Sequence, residues 1–308
     1  MNKASGTTNA GKGKGEPVER LAQILGHFSS RTSSRKLHGK VCILTGVGNE
    51  KGIGWATAVL FAQEGAKHMY LLDMDGSALP KLSSKIKGIS PEIGVSTFEG
   101  DASSEELIKT ICHAALEEHG HLDVFFANAG IATGAPIQST SYQTVEKVLK
   151  INALSCWLAV KYASASMLKN KDTQTSNANT HRGGSIILTS SIAGIRSGAG
   201  SADYSASKAA VASLALTGAN AYPGANIRIN AICPGLIHTQ MTDPIFSLTS
   251  DKSKIGQLCS LRRYGLADEV AGVVLFLAGG DSSYVNGAVI PVDGGLSSSH
   301  PVVPGRSY

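Results

Sequence analysis

A tyrosine and a lysine stand four residues apart at Tyr204 and Lys208, in the stretch Tyr-Ser-Ala-Ser-Lys. On a helix that spacing places both side chains on one face. A free phenol titrates near pH 10, about three units too high to exchange protons readily at neutrality. A neighbouring ammonium favours the phenolate and brings such a group towards neutral pH. A phenol tuned in this way can give a proton to a carbonyl oxygen or take one from an alcohol. Ser191, thirteen residues before the tyrosine, brings a hydroxyl able to hydrogen-bond the same oxygen. Ordinary pairing on helix surfaces also produces Tyr-x-x-x-Lys, so the motif gains meaning only from the rest of the chain.

The first element that can position a ligand is the apolar strand KVCILTG (40–46), followed by the loop TGVGNEKGIG (45–54) and the helical run WATAVLFAQEGA (55–66). Strand, glycine loop and helix form a nucleotide-binding turn. Gly46, Gly52 and Gly54 let backbone approach a pyrophosphate, and the start of the helix, from Ile53, offers free amides and a positive dipole end. Nineteen residues after Gly54, the strand HMYLLDMD (68–75) carries Asp73 at its end. That is the spacing of an acid that accepts hydrogen bonds from both adenosine ribose hydroxyls and repels a 2′-phosphate, which points to NAD, with NADP as the alternative.

The alternation continues. A helix is expected near 76–87, a strand GVSTFEGD ending at Asp101, a helix over 103–119 and a strand LDVFFANAG (122–130) ending in Asn128-Ala129-Gly130. A long helix over 141–168 follows, then the strand GGSIILTSS (183–191), which delivers Ser191, and the helix of Tyr204. NIRINAICPG (226–235) is the sixth strand and runs into PGLIHT (234–239); a helix over 262–280 and a seventh strand within 284–295 close the domain. The pattern predicts one α/β domain: a single doubly wound, seven-stranded parallel sheet of Rossmann type with helices on both faces. Its ligands belong at the C-terminal edge of the strands. The polar loop 169–183, with His181, falls at the other edge and is expected to have no catalytic role.

These motifs, in this order over roughly residues 39 to 296, resemble the short-chain dehydrogenase/reductase family; the C-terminal half is similar to 3-oxoacyl-carrier-protein reductases. The resemblance implies that Asn152, Ser191, Tyr204 and Lys208 are catalytic, Asn152 holding a water beside the lysine. It implies that Asp101 and the Ala102 amide hold the adenine edge. Asn128 braces the central strand, and Ala129 and Gly130 let the chain come close to the cofactor. Pro234, Gly235, Ile237 and Thr239 border the nicotinamide, the last two holding its carboxamide. His238 is not expected to act as a base, because Tyr204 fills that role. Residues 240–260 are the expected substrate lid, with Met241, Ile245, Phe246 and Leu248 as its apolar face. One departure stands out. Five residues separate Gly46 from Gly52, where the family has three. The longer loop is similar to that of the enoyl-reductase branch, whose Tyr and Lys are spaced more widely than here. A basic residue in the position of Lys51 often serves a 2′-phosphate in this family. A homotetramer or dimer is implied as well.

Composition bounds the remaining classes. The whole net charge of +5 falls in residues 1–38, which hold seven Lys/Arg and two Asp/Glu, so the body is neutral and shows no basic face for nucleic acid. The longest apolar run, near 270–278, is too short to span a bilayer. Five cysteines (42, 112, 156, 233 and 259) lack metal spacing, so reduced thiols in a cytoplasmic protein and no metal are expected. Residues 1–38 read as a basic, largely disordered extension before a domain at 39–308; VERLAQILGHF (18–28) has helix spacing, and an organellar signal there is the alternative. The expected activity is hydride transfer between NAD(P) and a small alcohol or ketone. The alternatives are a nucleotide-binding regulatory protein without turnover and an enoyl reductase.

Overall fold

A computed structural model describes residues 33–170, 183–196, 198–247 and 259–298, together with residues 22, 24–26 and 28. The chain divides into Met1–Thr32 and Ser33–Tyr308. Of the first unit, residues 22, 24–26 and 28 are helical; the expected disordered segment 1–16 and the rest of the 18–28 helix lie outside the described residues. The second unit begins six residues earlier than the sequence suggested. Leu37 is fully buried in the core, and the Ser34 and Lys36 amides donate to the Glu64 carboxylate at 3.1 Å.

Seven described strands form one parallel sheet: β1 (Val41–Thr45), β2 (His68–Asp73), β3 (Gly94–Glu99), β4 (Val124–Ala127), β5 (Gly184–Thr189), β6 (Ile227–Pro234) and β7 (Val289–Val292). Their order is β3-β2-β1-β4-β5-β6-β7, every neighbouring pair parallel. The chain reverses direction across the sheet between β1 and β4, which opens a crevice at their C-terminal ends. β1 and β4 are buried on both faces, as parallel strands between helix layers must be.

Alternate residues of β1 feed two separate cores. Cys42 and Leu44 pack with α1 (Ile53–Gln63), α2 (Leu79–Ile89) and α8 (Ala267–Ala278). Val41 and Ile43 pack with α3 (Glu105–His119), α5 (Ser155–Met167) and α6 (Ala202–Gly218). Helices therefore cover both faces. The expected long helix over 141–168 is α4 (Tyr142–Leu149) and α5, joined by a π-turn at Lys150–Leu154. The expected helix over 262–280 starts only at Ala267, because Arg262 has a positive φ and the Glu269 side chain accepts the Leu266 amide at 2.9 Å, capping the helix there. The stretch Asp243–Ser247 forms the short helix α7.

Residues 171–182, His181 among them, lie outside the described residues, but Asn170 just before them is buried. Its amide nitrogen donates to the Leu122 and Gly183 carbonyls at 2.6 and 2.9 Å, and its oxygen accepts the Leu122 amide at 3.0 Å. One side chain thus closes the lower ends of β4 and β5. Asn170→Ala strands three buried backbone groups and is expected to cost about 2–3 kcal/mol. Urea unfolding checks this as a lower midpoint with unchanged slope.

Candidate active site

A cleft of about 520 Å³ runs along the C-terminal edge of the sheet, from Asp73 past Gly46, Gly52 and Ile53 to Tyr204, Lys208 and Thr239. The glycine turn shapes its floor. Gly46 has φ of +70°, and a Cβ there would lie 2.8 Å from the Ala129 backbone. A Cβ on Gly54 would lie 2.1 Å from the Gly46 carbonyl oxygen. α3 and α4 start on Ser104 and Ser141 side-chain caps, whereas α1 starts at Gly52 with no side-chain cap and no acid in its first turn. Its positive end therefore faces the cleft without a protein anion, which fits a pyrophosphate.

The lengthened loop distributes its residues in distinct directions. Val47 is buried in the core. The Gly48 amide donates to Asp73 Oδ2 at 2.6 Å, and a Cβ on Gly48 would meet Asp73 Cγ at 2.7 Å. Asn49 lines the cleft, accepts the Lys51 amide at 3.0 Å and hydrogen-bonds Gln240 across the opening. Glu50 pairs with Lys81. Lys51 turns towards Asp243, with 4.0 Å between the charged atoms, and is not part of the cleft wall.

Asn128 ties three strand ends together. Its Nδ2 donates to the Gly46 carbonyl at 2.9 Å, and its Oδ1 accepts from Thr189 Oγ1 at 3.2 Å. Thr45 Oγ1 accepts the amides of Asn128 and Ala129 at 3.0 and 3.1 Å. The end of β4 carries Gly130, and that of β6 carries Pro234 and Gly235, into the cleft wall.

At the far end β5 delivers Ser191, whose Oγ accepts the Ala193 amide at 3.1 Å. Tyr204 lies in the first turns of α6. Lys208 is almost wholly buried; its Nζ donates to the Thr189 carbonyl at 2.9 Å and lies 5.7 Å from the Tyr204 ring centroid. Asn152 is fully buried at the π-turn. Its Oδ1 accepts the Ile131 amide at 2.8 Å, while Nδ2 donates to the Ile131 carbonyl and to Ser207 Oγ at 2.9 and 3.0 Å. Ser207 Oγ donates to the Tyr204 carbonyl at 2.7 Å. A Cβ on Gly130 would sit 3.1 Å from Asn152 Oδ1 and 3.2 Å from Lys208 Nζ, so these two groups flank one spot. Burial pushes the Cys233 thiol up, so β6 brings no thiolate to the site.

The cleft wall thus gathers Gly46, Gly52, Ile53, Asp73, Asn128, Ala129, Gly130, Ser191, Tyr204, Lys208, Pro234, Gly235, Ile237 and Thr239. Four residues expected from the sequence are not in it. Gly54 and Asn152 lie behind it as packing and bracing groups. Asp101 accepts the Ser103 amide and hydroxyl at 2.8 and 2.7 Å in a local turn, and Ala102 is buried against α3. His238 packs on Phe246 and Tyr264, with centroids 4.5 and 5.3 Å away, and is outside the wall. Of the expected lid, Met241 lines the cleft, Phe246 is buried and Ile245 is exposed, while Leu248 lies outside the described residues. Thr242 Oγ1 donates to the Ile237 carbonyl at 2.6 Å and fixes the Thr239 turn. Sequence reasoning missed Asn49, Thr189, Ser207 and Gln240. Ser207 alone carried a signal, one helical turn from Tyr204 inside the same motif.

The family model described as enoyl-(acyl carrier protein) reductase matches residues 46–297. The 3-oxoacyl-[acyl-carrier-protein] reductase FabG of Thermotoga maritima is 35% identical, over 85% of this chain and 99% of that protein. The levodione reductase of Leifsonia aquatica is 34% identical, over 85% and 95%. Among solved structures, carveol dehydrogenase from Mycobacterium avium in complex with NAD superposes with a TM-score of 0.76 at 27% identity, covering 86% of this chain and 99% of that one.

Gly48→Ala forces its new methyl group into Asp73. It is expected to weaken NADH binding about tenfold, the equivalent of about 1.4 kcal/mol. Fluorescence titration of NADH onto wild type and variant measures this.

Proposed function

The chain belongs to the short-chain dehydrogenase/reductase family, and we propose that Tyr204 is its proton-transferring residue, with NAD as the preferred partner. As members of this family do, it acts as an NAD(P)-dependent oxidoreductase on CH–OH and C=O groups. The observation that carries the assignment is the convergence of Ser191, Tyr204 and Lys208 on one end of a cleft whose other end is Asp73.

The dinucleotide, when bound, supplies or accepts the hydride. Gly46, Gly52 and Ile53 would hold its pyrophosphate and Asp73 its adenosine ribose. The backbone of Asn128–Gly130 would run beside it, and Pro234, Gly235, Ile237 and Thr239 would border the nicotinamide. In the reductive direction the Tyr204 hydroxyl gives its proton to the substrate oxygen, to which Ser191 Oγ donates a hydrogen bond. The buried Lys208 ammonium would stabilise the phenolate left behind and would bind the nicotinamide ribose. Asn152 keeps the strand end at Ile131 and the first turn of α6 in register through Ser207, and in this reading anchors the water that returns a proton to Tyr204. Oxidation runs the same steps backwards. Asp101 and Ala102 retain the proposed adenine contact, just beyond the Asp73 end of the cleft.

NAD is favoured because Asp73 lines the cleft with a carboxylate already oriented by the Gly48 amide, while Lys51 faces Asp243. The substrate end carries Ile131, Ala132 and Met241, which suits an apolar, medium-sized hydroxy or keto compound. Exposed Leu154 and Trp157 on the π-turn and α5, and Leu216 on α6, support a dimer or tetramer built through these helices; a single-chain mass in light scattering would refute that. Among the described residues no helix is long and apolar enough to cross a membrane, and a small-molecule substrate in the cytoplasm is the reading adopted.

Tyr204→Phe is expected to lower kcat by about 10²–10⁴ while leaving NADH affinity within about twofold, since the ring still fills its place. Unchanged turnover would remove Tyr204 from the chemistry, and no turnover in wild type would favour a binding protein. Wild-type titrations should give tighter NADH than NADPH; the reverse would assign the 2′-phosphate to Lys51. Acetoacetyl thioester should be turned over in preference to crotonyl thioester, which separates ketoreduction from enoyl reduction.

A further inference from the structure

At the opposite edge of the sheet, three side chains converge that the cleft does not use. His68 opens β2, and Glu118 and His119 close α3. Each offers one ligand atom, and these atoms lie within 4.8 Å of one another. His68 is in register with Gly94 of β3, and its ring occupies the space that glycine leaves: a Cβ on residue 94 would lie 2.1 Å from Nδ1. The other ring nitrogen, Nε2, stands 3.0 Å from Ser96 Oγ. The ring stacks on Tyr70 at 4.5 Å and meets His119 at 4.6 Å between centroids. The Tyr70 hydroxyl donates to Glu118 Oε2 at 2.7 Å. His119 Nε2 is buried with no hydrogen-bond partner among the described residues and faces Glu118 Oε2 at 3.9 Å. An imidazole nitrogen buried without a partner is costly and asks for one.

We propose that His68, Glu118 and His119 bind a divalent cation of the zinc type. Two imidazoles and one carboxylate make a nitrogen-rich, borderline donor set that suits Zn(II) and neighbouring transition metals over Mg(II) or Ca(II). A fourth position stays open for water or the Ser96 hydroxyl. Metal–nitrogen bonds of about 2.0–2.1 Å need the three donors drawn closer, and the half-exposed Glu118 has the freedom to swing inward. Burial first, and then the charge of His119, lowers the His68 pKa to about 4; burial lowers His119 as well. A zinc-type cation takes imidazole through a ring nitrogen lone pair, and the buried His119 Nε2 is the nitrogen left to supply one. Lys67 and Lys87 add positive potential at His68, so the Glu118 charge is needed to offset them. The sequence pointed to no metal because His68 stands fifty residues before the adjacent Glu118 and His119 and the set includes no cysteine. The bound cation ties the end of α3 to the start of β2, away from the cleft, and stabilises the fold by mass action.

The test is calorimetric titration of chelator-treated protein with Zn(II), with Co(II) absorption as a second probe and thermal melting alongside. One cation per chain is expected, with a melting temperature raised by several degrees and turnover unaffected. Glu118→Gln and His119→Ala should each weaken binding at least about tenfold, the step that about 1.4 kcal/mol produces. Because Glu118 is half exposed, Glu118→Gln reads the site without disturbing the ring packing, which its metal-free melting temperature verifies. No uptake by wild type, or the same affinity in Glu118→Gln, overturns the proposal.

Discussion

The approach of Gly54 to the Gly46 carbonyl is the contact on which the site depends. There is no room for a Cβ between them, so α1 can begin directly above the end of β1 only if residue 54 is glycine. That places the uncapped end of α1 at the crevice the sheet opens between β1 and β4. The Gly46 carbonyl also accepts from Asn128 Nδ2, so one peptide group fixes helix to strand and strand to strand. Asn128 passes the constraint to β5 through Thr189, and the Thr189 carbonyl then holds Lys208 Nζ. The cleft floor and Lys208 are joined by a short chain of hydrogen bonds, each between buried or half-buried groups where such bonds count most.

The Tyr204 end of the cleft is held by the same kind of close approach. A Cβ on Gly194 would lie 2.5 Å from the Lys208 carbonyl carbon, so the turn after Ser191 packs directly on α6. Ser190 Oγ donates to the Lys208 carbonyl at 2.7 Å from the same segment. Ser191 and Lys208 therefore share one rigid block. Asn152 and Ser207 brace its other side, which leaves Tyr204 little freedom to drift within the cleft wall. Placement, more than any single strong interaction, is what the protein contributes to hydride chemistry.

The strands were legible because a doubly covered parallel sheet demands continuous apolar runs, and VCILT, VFFA and SIILT are such runs. Glycine loop, Asp73 and Tyr204–Lys208 were legible because their chemistry needs particular residues at fixed spacing. The rest depended on tertiary partners that spacing does not encode. The KINAL stretch has ordinary helix formers, so nothing local announces the π-turn; it becomes visible only once Asn152 is seen bonded to Ile131. Leu37 reads as part of a basic tail until the Glu64 carboxylate is found holding the backbone around it. Asn170 reads as loop polarity, yet it closes two strands. Asp101 matched a family position, but its carboxylate is engaged with Ser103 beyond the cleft wall.

The five residues between Gly46 and Gly52 show how a long turn can be tied down at the edge of a cleft. Extra length could have pushed the loop away from the dinucleotide and left Asp73 exposed. Instead Val47 anchors in the core and Gly48 touches the Asp73 carboxylate, so the added residues accumulate after that contact, at Asn49 to Lys51. Asn49 folds back on the Lys51 amide and reaches Gln240, and this turn points the lysine at Asp243, outside the cleft wall. A cation that stands off from Asp73 no longer offsets its carboxylate, so the local field at that end of the cleft stays negative. The same turn brings the loop against the segment that carries Met241 to the substrate end. Loop length, the charge at the Asp73 end and the opposite wall of the cleft are therefore linked through one turn, residues 48–51.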